Sequence, residues 1–370
     1  MIDKQLFRIV LTGGPCAGKT TAMSNITDRL RSLGFNVFVV PEVATMLILG
    51  GISLLDADPS VVMMKQAAML ETQLSLEKTF VKMASMSDRS TVILYDRGTM
   101  DSSAFVQPHL WQAILDSHGW TTVGLRDKHY DAVIHLVTAA IGAPEAYTLE
   151  NNAARSETPE LAAEIDSRIK EAWIGHPHLR VIDNSTDFAE KIRRVTAAIC
   201  NVVGVPEPLE RERKFLVTHV DLRHATKIVT VDIEQTYLKS EADVARVRKR
   251  GQDRSFTYTY TVKREIQPGK NVEREKMITS KDYLSYLEEA DQDRVMIRKK
   301  RTCFLWKNSY YELDVFIEPF NGVCLLELES DEDNSPCEIP PWIKIDREVT
   351  DDPAYSNANI AKKVQNVQST

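Results

Sequence analysis

Eight consecutive residues carry the clearest chemistry in the chain: Gly13, Gly14, Pro15, Cys16, Ala17, Gly18, Lys19 and Thr20 spell GxxxxGK[ST]. Glycines in such a loop let backbone N–H groups converge on phosphate oxygens, and a helix opening at its end adds a favourable dipole. Lys19 would reach the β- and γ-phosphates, Thr20 would ligate Mg²⁺, and Thr21 completes the nucleotide-binding set. An apolar run, FRIVLT (7–12), precedes the loop and a helical pattern over 18–33 follows it. That is the strand–loop–helix context the motif needs. The expected ligand is a nucleoside triphosphate, GTP or ATP, with Mg²⁺ or Mn²⁺.

A guanine-reading NKxD does not occur, because Asn184-Ser185-Thr186-Asp187 lacks the lysine. The Asp-Glu strand ending of ATP-driven motors is missing too; TVILYD (91–96) runs instead into Asp96-Arg97-Gly98. The run DRGTMDS (96–102), with Pro41-Glu42 after the second apolar strand, resembles small P-loop kinases across roughly 1–200. The nearest are nicotinamide-riboside-kinase-like and deoxynucleoside-kinase-like domains. Phosphoryl transfer needs positioning and charge neutralisation more than covalent chemistry. Asp96 would hold Mg²⁺, directly or through water, and Arg97 would touch an acceptor or a transferred phosphate. Glu42 would accept a proton from an acceptor hydroxyl; its plain alternative is a loop carboxylate that caps a helix. The resemblance places Arg155, in ENNAARSET, in a lid, where it would stabilise the transferred group unless it faces solvent. Asn184, after the last strand, would lie beside the base.

A second chemistry begins at Glu210, Glu212 and Lys214, an ExExK entering the apolar FLV. Alternate strand residues share a face. Two carboxylates and a lysine on one face are costly unless they meet ions or solvent. The alternation recurs in Arg246, Arg248 and Arg250, at Lys263, and in Glu273 with Glu275. It continues in Lys299 with Arg301, Glu312 with Asp314, and Glu327 with Glu329. One such pair is an ordinary exposed strand face. The succession predicts an antiparallel β-barrel, closed or nearly closed, with a charged lumen. That lumen suits a polyanion: basic groups grip phosphates while carboxylates hold divalent metals.

The pattern resembles the CYTH/triphosphate tunnel superfamily over about 207–350. That superfamily includes thiamine, inorganic and RNA triphosphatases and one type of adenylyl cyclase. The resemblance implies Glu210, Glu212, Glu327 and Glu329 as metal ligands, with Glu312 and Asp314 matching its acidic pair on the penultimate strands. It implies phosphate contacts from Lys214, Arg246, Arg248, Lys263, Lys299 and Arg301. Lys214 would also orient or activate the attacking water.

The elements that must position these groups fall into two textures. Apolar strands at 7–12, 36–40, 91–96, 132–137 and 180–183 alternate with helical stretches at 18–33, 60–86, 101–117, 158–173 and 186–203. Buried strands alternating with helices predict an α/β domain with a parallel sheet covered on both faces. VVGVPEPLERE (202–212) marks the boundary. After it, period-two segments predict antiparallel strands, interrupted by one helix candidate at 280–290. The expected domains are 1–205, 206–355 and a tail, 356–370.

The chain has 370 residues, 43% hydrophobic and 27% charged, with a net charge of −7. Its first 206 residues hold 19 Lys and Arg against 23 Asp and Glu, and the remainder 27 against 30. Neither half is a nucleic-acid footprint. No apolar run approaches the roughly 20 residues of a membrane span, and the N-terminus lacks signal-peptide form. Five scattered cysteines, Cys16, Cys200, Cys303, Cys324 and Cys337, form no metal or disulfide framework. A cytoplasmic protein, peripheral to membranes at most, is expected.

The two chemistries in this order resemble the eukaryotic family named for the TRPL-channel translocation defect. TGGPCAGKTT, YDRGTMDSSAF and ERERKFLV carry that match, with IEQTYL and EVTDDPAYSNANIA downstream. The resemblance implies GTP binding, an anionic phospholipid partner such as phosphatidic acid, and a role in membrane-protein trafficking. Three readings stand. The chain is a nucleotide-binding regulator whose β domain holds a phosphorylated headgroup or polyphosphate. Or it is a bifunctional small-molecule kinase and metal-dependent triphosphatase. Or it is a tunnel enzyme with a scaffold attached, which an intact Lys19, Thr20 and Asp96 argue against.

Overall fold

The apolar runs of the first half are buried on both sides, which is what a parallel sheet between two helical layers requires. In the computed structural model, residues 4–54, 56–147, 158–205, 212–240, 244–267, 270–329 and 338–362 are described. They fall in two compact units, Met1–Pro206 and Glu207–Thr370.

In the first unit, β1 (Leu6–Thr12), α1 (Lys19–Ser32), β2 (Asn36–Val40), α2 (Val43–Leu49), α3 (Pro59–Ser85) and β3 (Thr91–Asp96) follow in order. A 3₁₀ turn at Thr99–Phe105 precedes α4 (Pro108–His118), α5 (Thr122–Arg126) and β4 (Ala132–Leu136). Then come α6 (Pro159–Ala172), β5 (Leu179–Ile182) and α7 (Phe188–Val202). The sheet order is β2-β3-β1-β4-β5, and every pairing is parallel. Ile9, Leu11, Leu94 and Ile134 pack against Ile26 and Leu30 of α1 and Val195 and Ile199 of α7. Because all strands run one way, the loops after β1, β2, β3 and β4 open at one edge, where open α/β sheets bind ligands.

The helix expected over 101–117 is divided. Val106 and Gln107 are extended, and the α-helix begins only at Pro108. Proline disfavours helical geometry in the residue before it and suits the first helical position.

The second unit contains β6 (Glu212–Val220), β7 (Ile228–Tyr237), β8 (Val244–Gln252), β9 (Ser255–Gln267) and β10 (Lys270–Met277). After α8 (Ser280–Leu287) come β11 (Ile297–Trp306), β12 (Ser309–Glu318), β13 (Cys324–Glu329), β14 (Ile343–Glu348) and α9 (Asn357–Ile360). Nine strands pair antiparallel in the order β10-β9-β8-β7-β11-β12-β13-β6-β14. Ile360 and Ala361, in the segment expected to be a tail, pack with Tyr237, Ile297 and Phe316.

The expected barrel is not closed. β10 and β14 end the ladder and do not pair among the described residues. Their sequences, KNVEREKM and IKIDRE, explain this, since charge-dense edges resist strand addition. Alternating charge fixes one charged face but carries no instruction to close it. The face is nevertheless concave. Tyr237 on β7 packs in one apolar cluster with Leu325 on β13 and Leu216 on β6, four ladder steps away. In a flat sheet those strands would lie roughly 19 Å apart.

Among the described residues no helix is long and apolar enough to cross a membrane.

Candidate functional sites

The phosphate loop is shaped by backbone that only certain residues tolerate. Gly13 and Gly18 have φ values of 143° and 88°. A side chain on Gly13 would sit 2.0 Å from the Leu136 carbonyl oxygen. Lys19, at the start of α1, is buried and donates from Nζ to the Gly13 and Gly14 carbonyls, 3.1 Å each. Burial and the Arg97 charge lower its pKa to about 8, against the opposing pull of Asp96, Glu42 and Asp101. Thr20 and Thr21 are exposed at the helix start, and Phe188 of α7 packs against Gly18.

Two groups missed by sequence reasoning hold this loop. Asp166 of α6 is fully buried and accepts from Gly14 N (2.8 Å) and Thr138 N (3.0 Å), while His135 Nε2 lies 3.2 Å away. Burial would raise its pKa, but His135 and these hydrogen bonds outweigh that and lower it. Lys191 of α7 is buried and donates to the Ala17 and Val137 carbonyls and to Asn184 Oδ1, at 3.1, 2.6 and 2.7 Å. Burial brings its pKa to about 8. The signal was available: each is a charged residue on the apolar stripe of its helix, Asp166 with Ala162 and Ile169, Lys191 with Val195 and Ile199. Asn184 belongs to the same brace. Its amide nitrogen donates to the Thr138 and Ile141 carbonyls at 2.8 and 2.6 Å, so its polar atoms face the backbone.

At the ends of β2 and β3 the expected acidic and basic residues meet. Arg97 Nε donates to Glu42 Oε1, and Thr45 Oγ1 donates to Glu42 Oε2 at 2.7 Å. Glu42 does stand at the N-cap position of α2, yet its side chain does not cap the helix. Burial would raise its pKa, but Arg97, Lys19 and both hydrogen bonds bring it to about 2. Arg97 itself has φ 72°, a left-handed conformation that non-glycine residues seldom adopt and that clusters at functional positions. Asp101, a third missed residue, accepts from Thr12 Oγ1 and Trp173 Nε1 at 2.6 Å each and lies 3.5 Å from Arg97 Nη1. Asp96 differs from these neighbours. Its Oδ1 is buried with no hydrogen-bond partner among the described residues, and burial raises its pKa against the pull of Lys19. A buried oxygen without a donor, beside a hydroxyl-bearing helix start, fits a divalent cation held by Asp96 and Thr20.

In the second unit the sequence pattern becomes one ionic face. Arg301 is the hub. It bonds Asp314 from Nε and Nη2 at 2.7 Å each, and also bonds Glu312 and Glu327. Lys299 pairs with Asp314 as well. Lys214 Nζ lies 3.0 Å from Glu327 and 3.2 Å from Glu212. Farther along the sheet, Arg246 bonds Glu273 at 2.6 Å, and Lys263 stands in register opposite Glu273. Arg248 is held more loosely, 3.5 Å from Gln235 Oε1 and 3.8 Å from Glu275, and its Nε has no partner among the described residues. Burial and the Arg246 charge lower its pKa. By contrast, Asp314, Glu312 and Glu327 overcome burial and hold Arg301 well above its ordinary value.

The expected metal carboxylates fall into cross-strand pairs, Glu312 with Glu327 and Glu212 with Glu329. Glu312, Asp314 and Glu327 are turned to Arg301, and Glu212 to Lys214. Among the described residues no group of three His, Cys, Asp or Glu side chains is placed to hold a metal ion. Glu210 and Arg155 lie outside the described residues, as does the side chain of Glu329.

Residues 8–191 match the family model described as an AAA domain. With the phosphate loop, that match makes the first unit a nucleotide-binding domain. A curated relative, an inorganic triphosphatase from Acetivibrio thermocellus, is 34% identical over 70 residues, 19% of this chain and 44% of that protein. The chain thus spans less than half the length of that relative. Among solved structures, an inorganic triphosphatase is 28% identical, covers 42% of this chain and 99% of its own, and has a TM-score of 0.32. A putative adenylyl cyclase from Hippeastrum with dominant triphosphatase activity is 15% identical over 33% of this chain and 80% of its own, with a TM-score of 0.24.

Proposed function

We propose that this chain handles triphosphates at two separate sites. The first unit binds a Mg²⁺–nucleoside triphosphate and moves its γ-phosphoryl group. The second unit binds a triphosphate chain on its ionic face and hydrolyses it. The observation that carries the first half is Lys19 buried beside Asp96, whose Oδ1 lacks a partner, at the mouth of a complete phosphate loop. The second half is supported by the cation-lined concave face and by the likeness to an inorganic triphosphatase.

In the first unit, bound Mg²⁺ would neutralise charge on the phosphates from Thr20 and Asp96. Lys19 exchanges its two loop carbonyls for phosphate oxygens, a stronger partner. Arg97 turns from Glu42 toward the transferred group. Glu42 at a pKa of about 2 is a poor base; losing Arg97 raises its basicity at the moment an acceptor hydroxyl needs it. Asp166 and Lys191 keep the loop in one shape throughout.

In the second unit, Arg248, with Arg246, Lys263 and Lys214, meets phosphate oxygens. Arg301 and Lys299 stay paired and fix the frame. Lys214, between Glu212 and Glu327, orients the triphosphate end and the attacking water.

This is the bifunctional reading. Membership of the TRPL-translocation-defect family, a GTP preference, phosphatidic acid binding and a trafficking role are carried by the sequence resemblance alone. That regulator reading is favoured if both sites bind without turnover.

The test is phosphate release from tripolyphosphate, GTP and ATP, with Mg²⁺ and then Mn²⁺. Tripolyphosphate turnover that survives Lys19→Ala and falls in Arg248→Ala at sub-saturating substrate is the expected result. Turnover abolished by Lys19→Ala would place the hydrolysis in the first unit and end the two-site proposal.

A further inference from the structure

Glu77 of α3 is a carboxylate only 1% exposed, and it takes no part in the phosphate loop, its brace or the Glu42–Arg97 pair. A carboxylate is costly to bury unless hydrogen bonds compensate it. Glu77 accepts from Gln73 Nε2 at 2.9 Å and from the Tyr130 hydroxyl at 2.9 and 3.1 Å, and it meets His129 Nε2 at 2.6 Å.

Two of these partners lead on to the turn after β3. The buried Tyr130 hydroxyl accepts from Thr99 N at 3.0 Å. Its single proton goes to Glu77, which leaves a lone pair for the Thr99 amide. Burial and the Glu77 charge hold the Tyr130 pKa well above its ordinary value, so that proton stays in place. Gln73 Nε2, besides bonding Glu77, makes a long contact of 3.5 Å with the Arg97 carbonyl. Glu77 thus stands behind both neighbours of Gly98. The turn between them needs holding: Arg97 has φ 72°, a conformation that persists only where the surroundings over-determine it. Gly98 is wedged against Trp173, since a Cβ there would lie 2.6 Å from the ring. The Thr99 hydroxyl donates to the Leu125 carbonyl at 2.8 Å.

We propose that Glu77, through Tyr130 and Gln73, positions Arg97 for the transfer step of the first unit, a role that rests on the phosphoryl-transfer reading above. Glu77 orients the hydroxyl that holds the Thr99 amide. That amide and the Arg97 carbonyl fix the backbone from which the guanidinium swings between Glu42 and the transferred group. A slack turn misplaces the guanidinium at the transition state, and misplacement by about 1 Å can cost on the order of a hundredfold in rate. Lys19 and its loop carbonyls are untouched, so nucleotide binding holds.

The readout is the share of phosphate release from ATP that Lys19→Ala abolishes, measured on the full chain. Tyr130→Phe keeps the ring and removes the hydroxyl, and Glu77→Gln keeps the shape and removes the charge. Each is expected to lower kcat about tenfold or more, with KM for ATP within about twofold. In an Arg97→Ala background both should have no further effect, because residues that act through one group are not additive. If Glu77→Gln does not fold, Tyr130→Phe carries the same test. The positioning role alone is overturned if Tyr130→Phe keeps the wild-type kcat, or if its loss multiplies with that of Arg97→Ala. An absence of Lys19-dependent release, or Arg97→Ala at full rate, overturns the phosphoryl-transfer reading itself and the positioning role with it.

Discussion

Lys19 in the first unit and Arg301 in the second are both buried cations, and their surroundings differ in kind. Lys19 rests on two backbone carbonyls, and burial pulls its pKa down to about 8. Arg301 touches three carboxylates and is held above its ordinary value. The first cation is under-compensated, so an arriving phosphate improves its position. The second is compensated already, so a phosphate gains little from it, and its removal leaves Glu312 without a cation among the described residues and Asp314 and Glu327 with one lysine each. Burial alone therefore does not mark a binding cation; what faces it does. Within the second unit the same contrast separates Arg248, loosely held and with a lowered pKa, from Arg301.

The largest effect should come from breaking the compensated hub. Arg301→Ala is expected to lose about 3–5 kcal/mol of stability, the cost of leaving buried charges unpaired, read as an earlier urea midpoint. A loss under about 1 kcal/mol would mean that Glu312, Asp314 and Glu327 find solvent, and the contrast with Lys19 would collapse.

Lys19→Ala should weaken nucleotide binding by about a hundredfold or more, with stability preserved, as measured by calorimetry. Arg248→Ala should leave stability within about 1 kcal/mol while weakening tripolyphosphate binding about tenfold. If Arg301→Ala and Arg248→Ala prove equally unstable, the distinction between frame and contact residues fails.

The pH dependence sharpens the comparison further. Free Lys19 has a pKa of about 8, lowered by burial, and a bound phosphate raises it. The complex then takes up a proton that the free protein has lost above that pH. Nucleotide affinity should hold below pH 8 and fall by up to about tenfold between pH 8 and 9. Tripolyphosphate affinity on the second unit should stay flatter, because two of its phosphate contacts, Arg246 and Arg248, do not titrate there. Equal slopes for the two ligands would argue against a lysine-centred first site.

The smallest effect concerns the brace. Asp166→Asn keeps an acceptor for Gly14 N but removes the charge, and nucleotide affinity should fall about fivefold. The phosphate-release rate at saturating nucleotide should not change. A fall in that rate instead would move Asp166 from positioning into the chemistry.

Much of this was open to reading along the chain. GxxxxGK[ST] located the loop, and Asp96, Arg97 and Glu42 were chosen from the ends of strands β3 and β2. They do converge at one edge, because parallel strands force it. Asp101, Asp166 and Lys191 were not chosen, although a charged residue on an apolar helix stripe was visible for the last two. Their roles depend on partners 89, 152 and 174 positions away, and no local pattern names such partners. Asn184 was placed near the base, and its polar atoms serve the brace instead.

By itself the sequence determined the local facts: the phosphate loop, the strand periods, the change of texture near 205, and which alternate residues share a charged face. Each follows from spacing of a few residues, where backbone geometry leaves little choice. Only the tertiary structure decided that the sheet of the second unit curls without closing among the described residues. It alone decided which carboxylate each cation faces. Both are settled by pairings between strands distant in sequence, where charge-dense edges and the cost of burying an unpaired ion select among arrangements that alternation permits equally.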